Sequence, residues 1–156
     1  MTSNRDKGIF MTELKEGDLA PDFSLEDTLG GDFQLSDYRD QNVVLYFYPK
    51  DDTPGCTIEA QQFTKKISAF VDADTVVCGI STDDVTCHKN FIEKYDLKIE
   101  LLADVDGKVA KLYSSAGEKY AKRNTFVIGK DGRIKKIFWN VKPDGHADEV
   151  LAVLKS

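Results

Sequence analysis

Cys56 is the residue whose surroundings most clearly favour chemistry. It follows an apolar run at residues 43–48 and a turn rich in Pro and Gly at residues 49–55, and an amphipathic helix is predicted from Pro54 onward. The free N–H groups and the positive dipole end of a helix N-terminus stabilise a thiolate relative to a thiol, and the thiolate is the nucleophile. This placement therefore predicts thiol-based redox chemistry at Cys56.

The composition indicates a globular protein with an acidic balance of charge. The chain has 156 residues, of which 41% are hydrophobic and 31% are charged, and this favours one folded domain with a sizeable core. With 21 basic against 27 acidic residues we expect no nucleic-acid partner, and no apolar stretch is long enough for a membrane span. Residues 1–10 lack the apolar run of a secretory signal, which favours a cytoplasmic protein.

The hydrophobic pattern predicts alternating strands and helices. Predicted strands cover residues 43–48, 76–80, 101–103, 125–128 and 134–139, and predicted helices cover residues 54–71, 85–95, 108–113 and 146–154. Residues 22–25 and 33–35 form a predicted hairpin that we expect to lie as a lid on the main sheet. The β-α-β-α-β order favours parallel strands, and the final hairpin and helix complete a thioredoxin-like pattern, although periodicity alone leaves other α/β topologies open.

The helix predicted after Cys56 has one apolar face. We expect its inward positions to be Ala60, Phe63, Ile67, Phe70 and Val71, and its outward positions to be Glu59, Gln62, Lys65 and Lys66. One face of this helix then packs on the core, and its first turn carries Cys56.

The three cysteines follow neither a metal-binding pattern nor a structural-disulfide pattern. Cys56, Cys78 and Cys87 include no C-x-x-C pair, and an odd count in a cytoplasmic chain indicates free or transient thiols. Cys78 lies inside a β-branched strand and is expected to be a core residue. His88 and His146 show no convergent set of ligands, so we expect no metal ion, and no cofactor is indicated.

Several sequence features together resemble one enzyme family. They are the P-x-x-x-T-x-x-C element formed by Pro49, Thr53 and Cys56, the Arg123 shortly before a T-F pair, and the segments 17–23, 79–83 and 141–147. In these features the chain resembles the peroxiredoxins, and within them the peroxiredoxin Q or bacterioferritin comigratory protein branch. The resemblance implies a thioredoxin-like α/β fold with a central mixed β-sheet, flanking helices and an N-terminal β-hairpin. We expect one such domain at residues 13–156, preceded by a flexible arm at residues 1–12.

The resemblance also implies an activity, that of a cysteine-dependent antioxidant peroxidase that reduces hydrogen peroxide and organic hydroperoxides. Cys56 would be the peroxidatic nucleophile and would become a sulfenic acid. Thr53, in the same turn, would position the peroxide with its hydroxyl group. Pro49 lacks an N–H group and would shield the sulfur from water. Asp51 and Asp52 would repel the thiolate, but only weakly if they point to solvent.

Arg123 is expected beside Cys56 although the two residues are far apart in the sequence. In a thioredoxin-like sheet the strand after Arg123 runs antiparallel to residues 43–48, so its start lies beside the end of the strand that leads to Cys56. A guanidinium there would stabilise both the thiolate and the departing oxygen. Glu59 is a candidate to pair with Arg123 and orient it, although an exposed helical glutamate is an equally good interpretation.

A sulfenic acid needs a second thiol with which to condense before it is oxidised further. Many members of the branch carry this resolving cysteine at the position of Gln61, so that local disulfide is excluded here. Cys87 is the leading substitute because it lies near a helix start at the same edge of the sheet, whereas relatives that resolve from this helix use a position nearer Ile92. Otherwise thioredoxin, glutathione or another small thiol donor would resolve the sulfenic acid.

Two other functions and the assembly state stay open from the sequence. A thioredoxin-like thiol–disulfide oxidoreductase would use the same fold, but residues 53–56 lack the first cysteine of a C-x-x-C pair. A non-catalytic thioredoxin-fold binding module is the third interpretation. We expect a monomer, with a weak dimer as the alternative, because no C-terminal cysteine is present to link two chains.

Overall fold

The computed structural model describes residues 13–156. Its strands are β1 (Ser24–Glu26), β2 (Asp32–Gln34), β3 (Asn42–Phe47), β4 (Thr75–Ser81), β5 (Glu100–Ala103), β6 (Thr125–Ile128) and β7 (Ile134–Phe138). Its helices are α1 (Pro54–Lys65), α2 (Ile67–Asp72), α3 (Val85–Tyr95), α4 (Lys108–Leu112) and α5 (His146–Lys155), and a short 3-10 helix covers Leu35–Tyr38. Within the described range the strands form one mixed sheet in the order β2-β1-β5-β4-β3-β6-β7.

The centre of the sheet brings three chain segments to one edge. β3 runs parallel to β4 with Val43 opposite Val76, and β4 runs parallel to β5. β6 runs antiparallel to β3 with Leu45 opposite Phe126, so β6 begins beside the end of β3. The loops that leave β3 and β4 and the loop that enters β6 therefore share an edge. This architecture confirms the predicted thioredoxin-like α/β fold with a mixed central sheet.

Strand β3 is buried on both faces, which explains its unbroken apolar sequence. Leu45 and Phe47 belong to one hydrophobic cluster together with Phe126 of β6. Tyr46 belongs to the cluster on the other face, where its ring stacks on Phe63 of α1 with 4.8 Å between ring centroids. Because apolar side chains hold it from both sides, β3 gives the loop that follows it a rigid origin.

The N-terminal hairpin is confirmed, but its expected position as a lid is wrong. β1 pairs antiparallel with β2 and also, at Glu26 and Ala103, with β5. The hairpin thus extends the sheet in its own plane. The edge of a strand has unpaired backbone N–H and C=O groups. By pairing with β5, β1 satisfies some of these groups, whereas a hairpin lying over the face of the sheet would leave them unpaired.

The predicted single helix at residues 54–71 is also wrong, because the chain breaks at Lys66 into α1 and α2. The backbone of Lys66 leaves the helical region at φ −99° and ψ 8°. The break resets the helical phase, so Val71, which we expected to face inward, is 64% exposed. Glu59, expected to face outward, is buried.

No helix within residues 13–156 combines the length and apolar character needed to cross a bilayer. The expected flexible arm, residues 1–12, lies outside the described residues. The assignment of residues 13–156 to one domain stays a prediction.

Candidate active site

Cys56 lies in the first turn of α1, at the sheet edge described above. Thr53 is the N-cap residue and Pro54 is the first helical residue, which places Cys56 third in the helix. The backbone N–H groups of a first helical turn have no partner within the helix and point toward the N-terminal end. Thr53 does not use its side chain to cap them, since its hydroxyl donates to the carbonyl oxygen of Lys50 at 2.8 Å. The hydroxyl oxygen of Thr53 can therefore still accept a hydrogen bond.

Arg123 reaches Cys56 from the loop that enters β6. Its Nη2 atom donates to Sγ of Cys56 at 3.2 Å, and its Nη1 atom donates to Oε1 of Glu59 at 2.7 Å. The side chain of Arg123 is only 16% exposed. The forked guanidinium thus bridges the sulfur and a carboxyl group, which a lysine ammonium cannot do in the same planar geometry.

The backbone around Arg123 is fixed by neighbouring segments. The N–H group of Phe47 donates to the carbonyl of Asn124, and the N–H group of Val141 donates to the carbonyl of Arg123, both at 2.8 Å. Asn124 is buried, and its side chain bonds to Ser115 and to the backbone of residue 140. The position of the guanidinium therefore follows from the β3–β6 pairing and from this anchored loop.

Glu59 is the buried carboxyl group of the site. Its side chain has no solvent exposure, and its Oε2 atom has no hydrogen-bond partner within residues 13–156. Burial raises the pKa of Glu59 to about 7, although Arg123 acts in the opposite direction by attraction and hydrogen bonding. For Arg123, burial alone would lower the pKa, but the charges of Glu59 and Cys56 raise it. The sequence allowed Glu59 to be either a partner of Arg123 or an exposed helical residue, and in the structure it pairs with Arg123.

The sulfur site is tightly enclosed. Cys56 is 1% exposed, and Pro49 is half-buried in the loop before it. A Cβ atom at Gly55 would lie 3.2 Å from Nη2 of Arg123 and 3.3 Å from Pro143, so the absence of a side chain there lets the guanidinium approach. In this conformation the sulfur has almost no contact with solvent.

The loop before Cys56 is held by a buried network that the sequence did not reveal. Oδ2 of Asp51 lies 2.6 Å from Nδ1 of His88, and the hydroxyl of Tyr48 donates to Oδ1 of Asp51 at 2.6 Å. Nε2 of His88 lies 2.9 Å from the carbonyl oxygen of Leu102. A carbonyl can only accept, so Nε2 carries a proton, and the short contact to Asp51 requires another proton on either partner. Asp51 is thus buried, not solvated.

Two further carboxylates hold the same loop. Oδ2 of Asp83 accepts the N–H of Asp51 at 2.8 Å and the hydroxyl of Ser81 at 2.6 Å. Asp52 receives bonds from Lys94 at 2.7 Å and Tyr95 at 2.6 Å, both on α3. The loop is therefore tied to both ends of α3. The spacing of His88 to the inward residues of this helix was the signal that could have predicted a buried histidine with a partner.

The expectation that His88 lacks convergent ligand-type groups is wrong. Ligand atoms of Asp51, Asp83 and His88 lie within 4.8 Å of one another. These atoms already bond to each other and to neighbouring donors and acceptors, and the contact between Asp51 and His88 leaves no room for an ion between them. We assign this network to the support of the loop and not to a metal.

The other two cysteines differ sharply from Cys56. Cys78 is fully buried in β4, and burial raises its pKa well above the ordinary value. Cys87 is exposed and is the third residue of α3, where its N–H donates to Oδ1 of Asp84 at 2.9 Å. Hydrogen bonding to Asp84, with smaller effects of burial and nearby negative charge, raises the pKa of Cys87. Cys87 and the loop at Lys50 line one groove of about 210 Å³.

Comparison with known proteins assigns this arrangement to a family. The AhpC/TSA family model matches residues 17–137. Peroxiredoxin Bcp from Bacillus subtilis is 42% identical over 150 residues, which cover 91% of this chain and 96% of that protein. The crystal structure of peroxidoxin BcpB from Mycobacterium tuberculosis superposes with a TM-score of 0.86 at 36% identity, covering 92% of this chain and 97% of that one.

A third relative is the bacterioferritin comigratory protein of Xanthomonas campestris, solved in trapped intermediate and ligand complexes in a study of its alkyl peroxide reduction activity. It superposes with a TM-score of 0.82 at 33% identity, covering 85% of this chain and 90% of that one. The segment matched by the family model includes Thr53, Cys56 and Arg123. The chain is therefore a member of the AhpC/TSA family and, within it, of the Bcp or peroxiredoxin Q branch of the peroxiredoxins.

Proposed function

We propose that Cys56 is the residue at which this chain carries out the thiol peroxidase reaction of its family. The chain is a peroxiredoxin, an enzyme that reduces hydrogen peroxide and organic hydroperoxides with thiols. The single observation that carries the assignment is the 3.2 Å contact between Nη2 of Arg123 and Sγ of Cys56. A positive, forked donor stabilises the thiolate and the negative charge that forms on the leaving oxygen.

The proposed reaction is a displacement at oxygen. The thiolate of Cys56 forms a bond to one peroxide oxygen, the O–O bond breaks, and the other oxygen leaves as alkoxide or hydroxide and takes up a proton. Sulfur is oxidised to the sulfenic acid, and the peroxide is reduced to alcohol or water. The hydroxyl of Thr53 donates to the carbonyl of Lys50. Its oxygen is therefore left to accept a hydrogen bond from the O–H group of the peroxide and so to aim the O–O bond at the sulfur.

Pro49 has the proposed role of a shield. It lies directly after the buried end of β3, is half-buried itself, and offers no N–H group to bind water. Gly55 and Pro143 lie beside Arg123, and we propose that Pro49 closes the site together with them. A closed, poorly hydrated site strengthens the interaction between Arg123 and the reacting atoms.

Recycling of the sulfenic acid requires movement of this site. Cys56 is 1% exposed whereas Cys87 is exposed, and a disulfide needs Cα atoms within about 7 Å. We propose that the first turn of α1 unwinds to present Cys56 either to Cys87 or to an external thiol such as that of thioredoxin. The shared groove between Lys50 and Cys87 supports the first route. In X. campestris peroxiredoxin Q, solved variants replace two different cysteines.

The test of the function compares single cysteine variants. Cys56→Ser should abolish peroxide consumption coupled to a thiol donor, while Cys87→Ser should still form the sulfenic acid on Cys56, detected by intact mass. Turnover that survives in Cys56→Ser would reject the assignment. Peptide mapping after one equivalent of peroxide then separates the two recycling routes: a Cys56–Cys87 linkage supports internal resolution, and a stable sulfenic acid or donor adduct supports an external thiol.

We also propose a monomer that works in the cytoplasm. The three cysteines are unpaired within the described residues, as expected in a reducing compartment. Cys56 and Cys78 are buried, so neither offers a surface thiol that could link two chains. Sedimentation of the reduced and oxidised protein tests the assembly state, since a dimer in either form would contradict the proposal.

A further inference from the structure

Two acidic groups share one cation in the active site. Arg123 carries a single positive charge and donates to both Cys56 and Glu59. Both partners are buried, Cys56 with 1% exposure and the side chain of Glu59 with none. If both were ionised, the enclosed site would hold one negative charge without compensation, which is costly away from water. One proton is therefore expected to be bound between the two acids.

The groups that face Glu59 do not supply a second positive charge. From β3, Tyr46 presents a buried hydroxyl without a hydrogen-bond partner in the described chain, and burial followed by the charge of Glu59 raises its pKa well above the ordinary value. From α5, His146 packs against α1, and burial lowers its pKa, which favours the neutral ring. Within residues 13–156, Arg123 is the cation that opposes the burial of Glu59.

We propose that Glu59 holds a proton while Cys56 is a thiolate, and that it loses this proton when the sulfur becomes a neutral sulfenic acid. The proposal rests on the peroxidase function given above. When the negative charge leaves the sulfur, the guanidinium of Arg123 becomes available to the carboxylate alone. Glu59 thus stores the proton that the leaving oxygen needs, and Arg123 couples the pKa of Glu59 to the charge on the sulfur.

The step balances without an outside proton. The S–O bond forms on Cys56, the O–O bond breaks, and sulfur loses the two electrons that the peroxide gains. The proton of Glu59 ends on the leaving oxygen, giving alcohol or water, and Glu59 ends as a carboxylate paired with Arg123. Because burial raises the pKa of Glu59 to about 7 and a thiolate on the same guanidinium raises it further, the transfer should be most complete slightly above neutral pH.

The decisive measurement counts protons. At about pH 8, slightly above neutral, reduced protein is mixed with peroxide in weak buffer containing a pH indicator, and the sulfenic acid is quantified by mass. We expect wild type to take up almost no proton per sulfenic acid formed and Glu59→Gln to take up one. Glu93→Gln, an exposed charge change on α3, is the matched control and should behave as wild type.

Infrared difference spectroscopy shows which group carries the proton. The carbonyl stretch of a protonated carboxyl group should be present in the reduced wild type, vanish on oxidation, and be absent from Glu59→Gln. Uptake of one proton by both wild type and Glu59→Gln would overturn the proposal. Wild type that takes up no proton and shows no carboxyl signal would also overturn it, because the proton is then on the sulfur. Failure to form any sulfenic acid on Cys56 would instead reject the peroxidase assignment. The wild-type spectrum remains decisive if the glutamine variant does not fold.

Discussion

Helices α1 and α3 both carry a cysteine in their first turn, but the charged groups around the two cysteines differ. Cys56 is the third residue of α1, and Cys87 is the third residue of α3. Each helix follows one of two adjacent parallel strands, so both helix starts lie at the same edge of the sheet. The dipole of each helix favours an anion at its start to a similar degree.

The charged neighbours of the two thiols are opposite in sign. α1 has no acidic residue in its first turn, its cap Thr53 carries no charge, and Arg123 contacts the sulfur of Cys56. α3 is capped by Asp84, whose hydrogen bond and charge raise the pKa of Cys87. The start of α3 is therefore not enough to lower the pKa of its thiol, and we propose that the nearest charges decide which of the two cysteines reacts.

The largest effect, on the rate of reaction with peroxide, should follow from removing the positive charge of Arg123 beside Cys56. Arg123→Met should slow the oxidation of Cys56 by peroxide about 10²–10³-fold, because a preorganised donor to the developing charge is lost. Arg123→Lys should lie in between, since lysine keeps the charge but cannot bridge Cys56 and Glu59 as a fork. Stopped-flow measurement of sulfenic acid formation gives the rates, with the exposed neighbour variant Lys122→Met as the control. Near wild-type rates in Arg123→Met would mean that the helix start alone activates Cys56.

The second effect concerns the network that joins the two helix starts. His88→Leu leaves the carboxylate of Asp51 buried without its partner and should lower the free energy of unfolding by about 3–5 kcal/mol. Asp51→Asn should cost much less, because an amide can still accept from Tyr48 and donate to a neutral His88 ring. Urea denaturation measures both, with the exposed Asp72→Asn as control. Equal losses in the two variants would show that the pair is not held by charge.

The comparison also shows which parts of the site can be predicted from sequence. The period of the apolar residues predicts the strands and helices, and the β3–β6 pairing follows from the thioredoxin-like order, so the approach of Arg123 to Cys56 is predictable. The pairing of Asp51 with His88, 37 residues apart, is not. It depends on the left-handed backbone of Asp52, φ 59°, and on the rotation of α3, neither of which a hydrophobic pattern specifies.

The position of Glu59 illustrates the same limit. Helical periodicity places it on the polar face of α1, and by that rule it points to solvent. Instead the loop before β6 covers this face and supplies Arg123, so a charged residue is buried because a partner arrives from far along the chain. Local patterns predict which face is apolar, but they do not predict which polar residue another segment will cover.

The third effect is a pH dependence of the free energy of unfolding, and it comes from Glu59 in α1. The pKa of Glu59 is about 7 in the folded chain against an ordinary value of 4.5, so between these values the folded state holds a proton that the unfolded chain has lost. Wild type should therefore lose stability relative to Glu59→Gln as pH rises, at roughly 1.4 kcal/mol per pH unit and up to about 3 kcal/mol.

Urea denaturation of the two proteins across this pH range measures the difference. It should be constant below the lower value and should level off only above about pH 7, once the folded protein has also lost this proton. Asp84 provides the contrast at α3, because its pKa is lowered chiefly by the hydrogen bond from the N–H of Cys87, so its contribution has the opposite sign. A stability difference that does not vary with pH would mean that Glu59 stays ionised in the folded protein.

The smallest effect should come from removing the carboxylate at α3. Asp84→Asn keeps a good helix cap but removes the charge, so the pKa of Cys87 should fall toward its ordinary value and its thiolate fraction should rise. In a Cys56→Ser background, alkylation of Cys87 should become about two- to fivefold faster at neutral pH. Asp148→Asn, which removes a first-turn carboxylate from α5, is the matched control. An unchanged rate would mean that the carboxylate of Asp84 has no measurable effect on the reactivity of Cys87. The difference in reactivity between Cys56 and Cys87 would then be due to Arg123 alone.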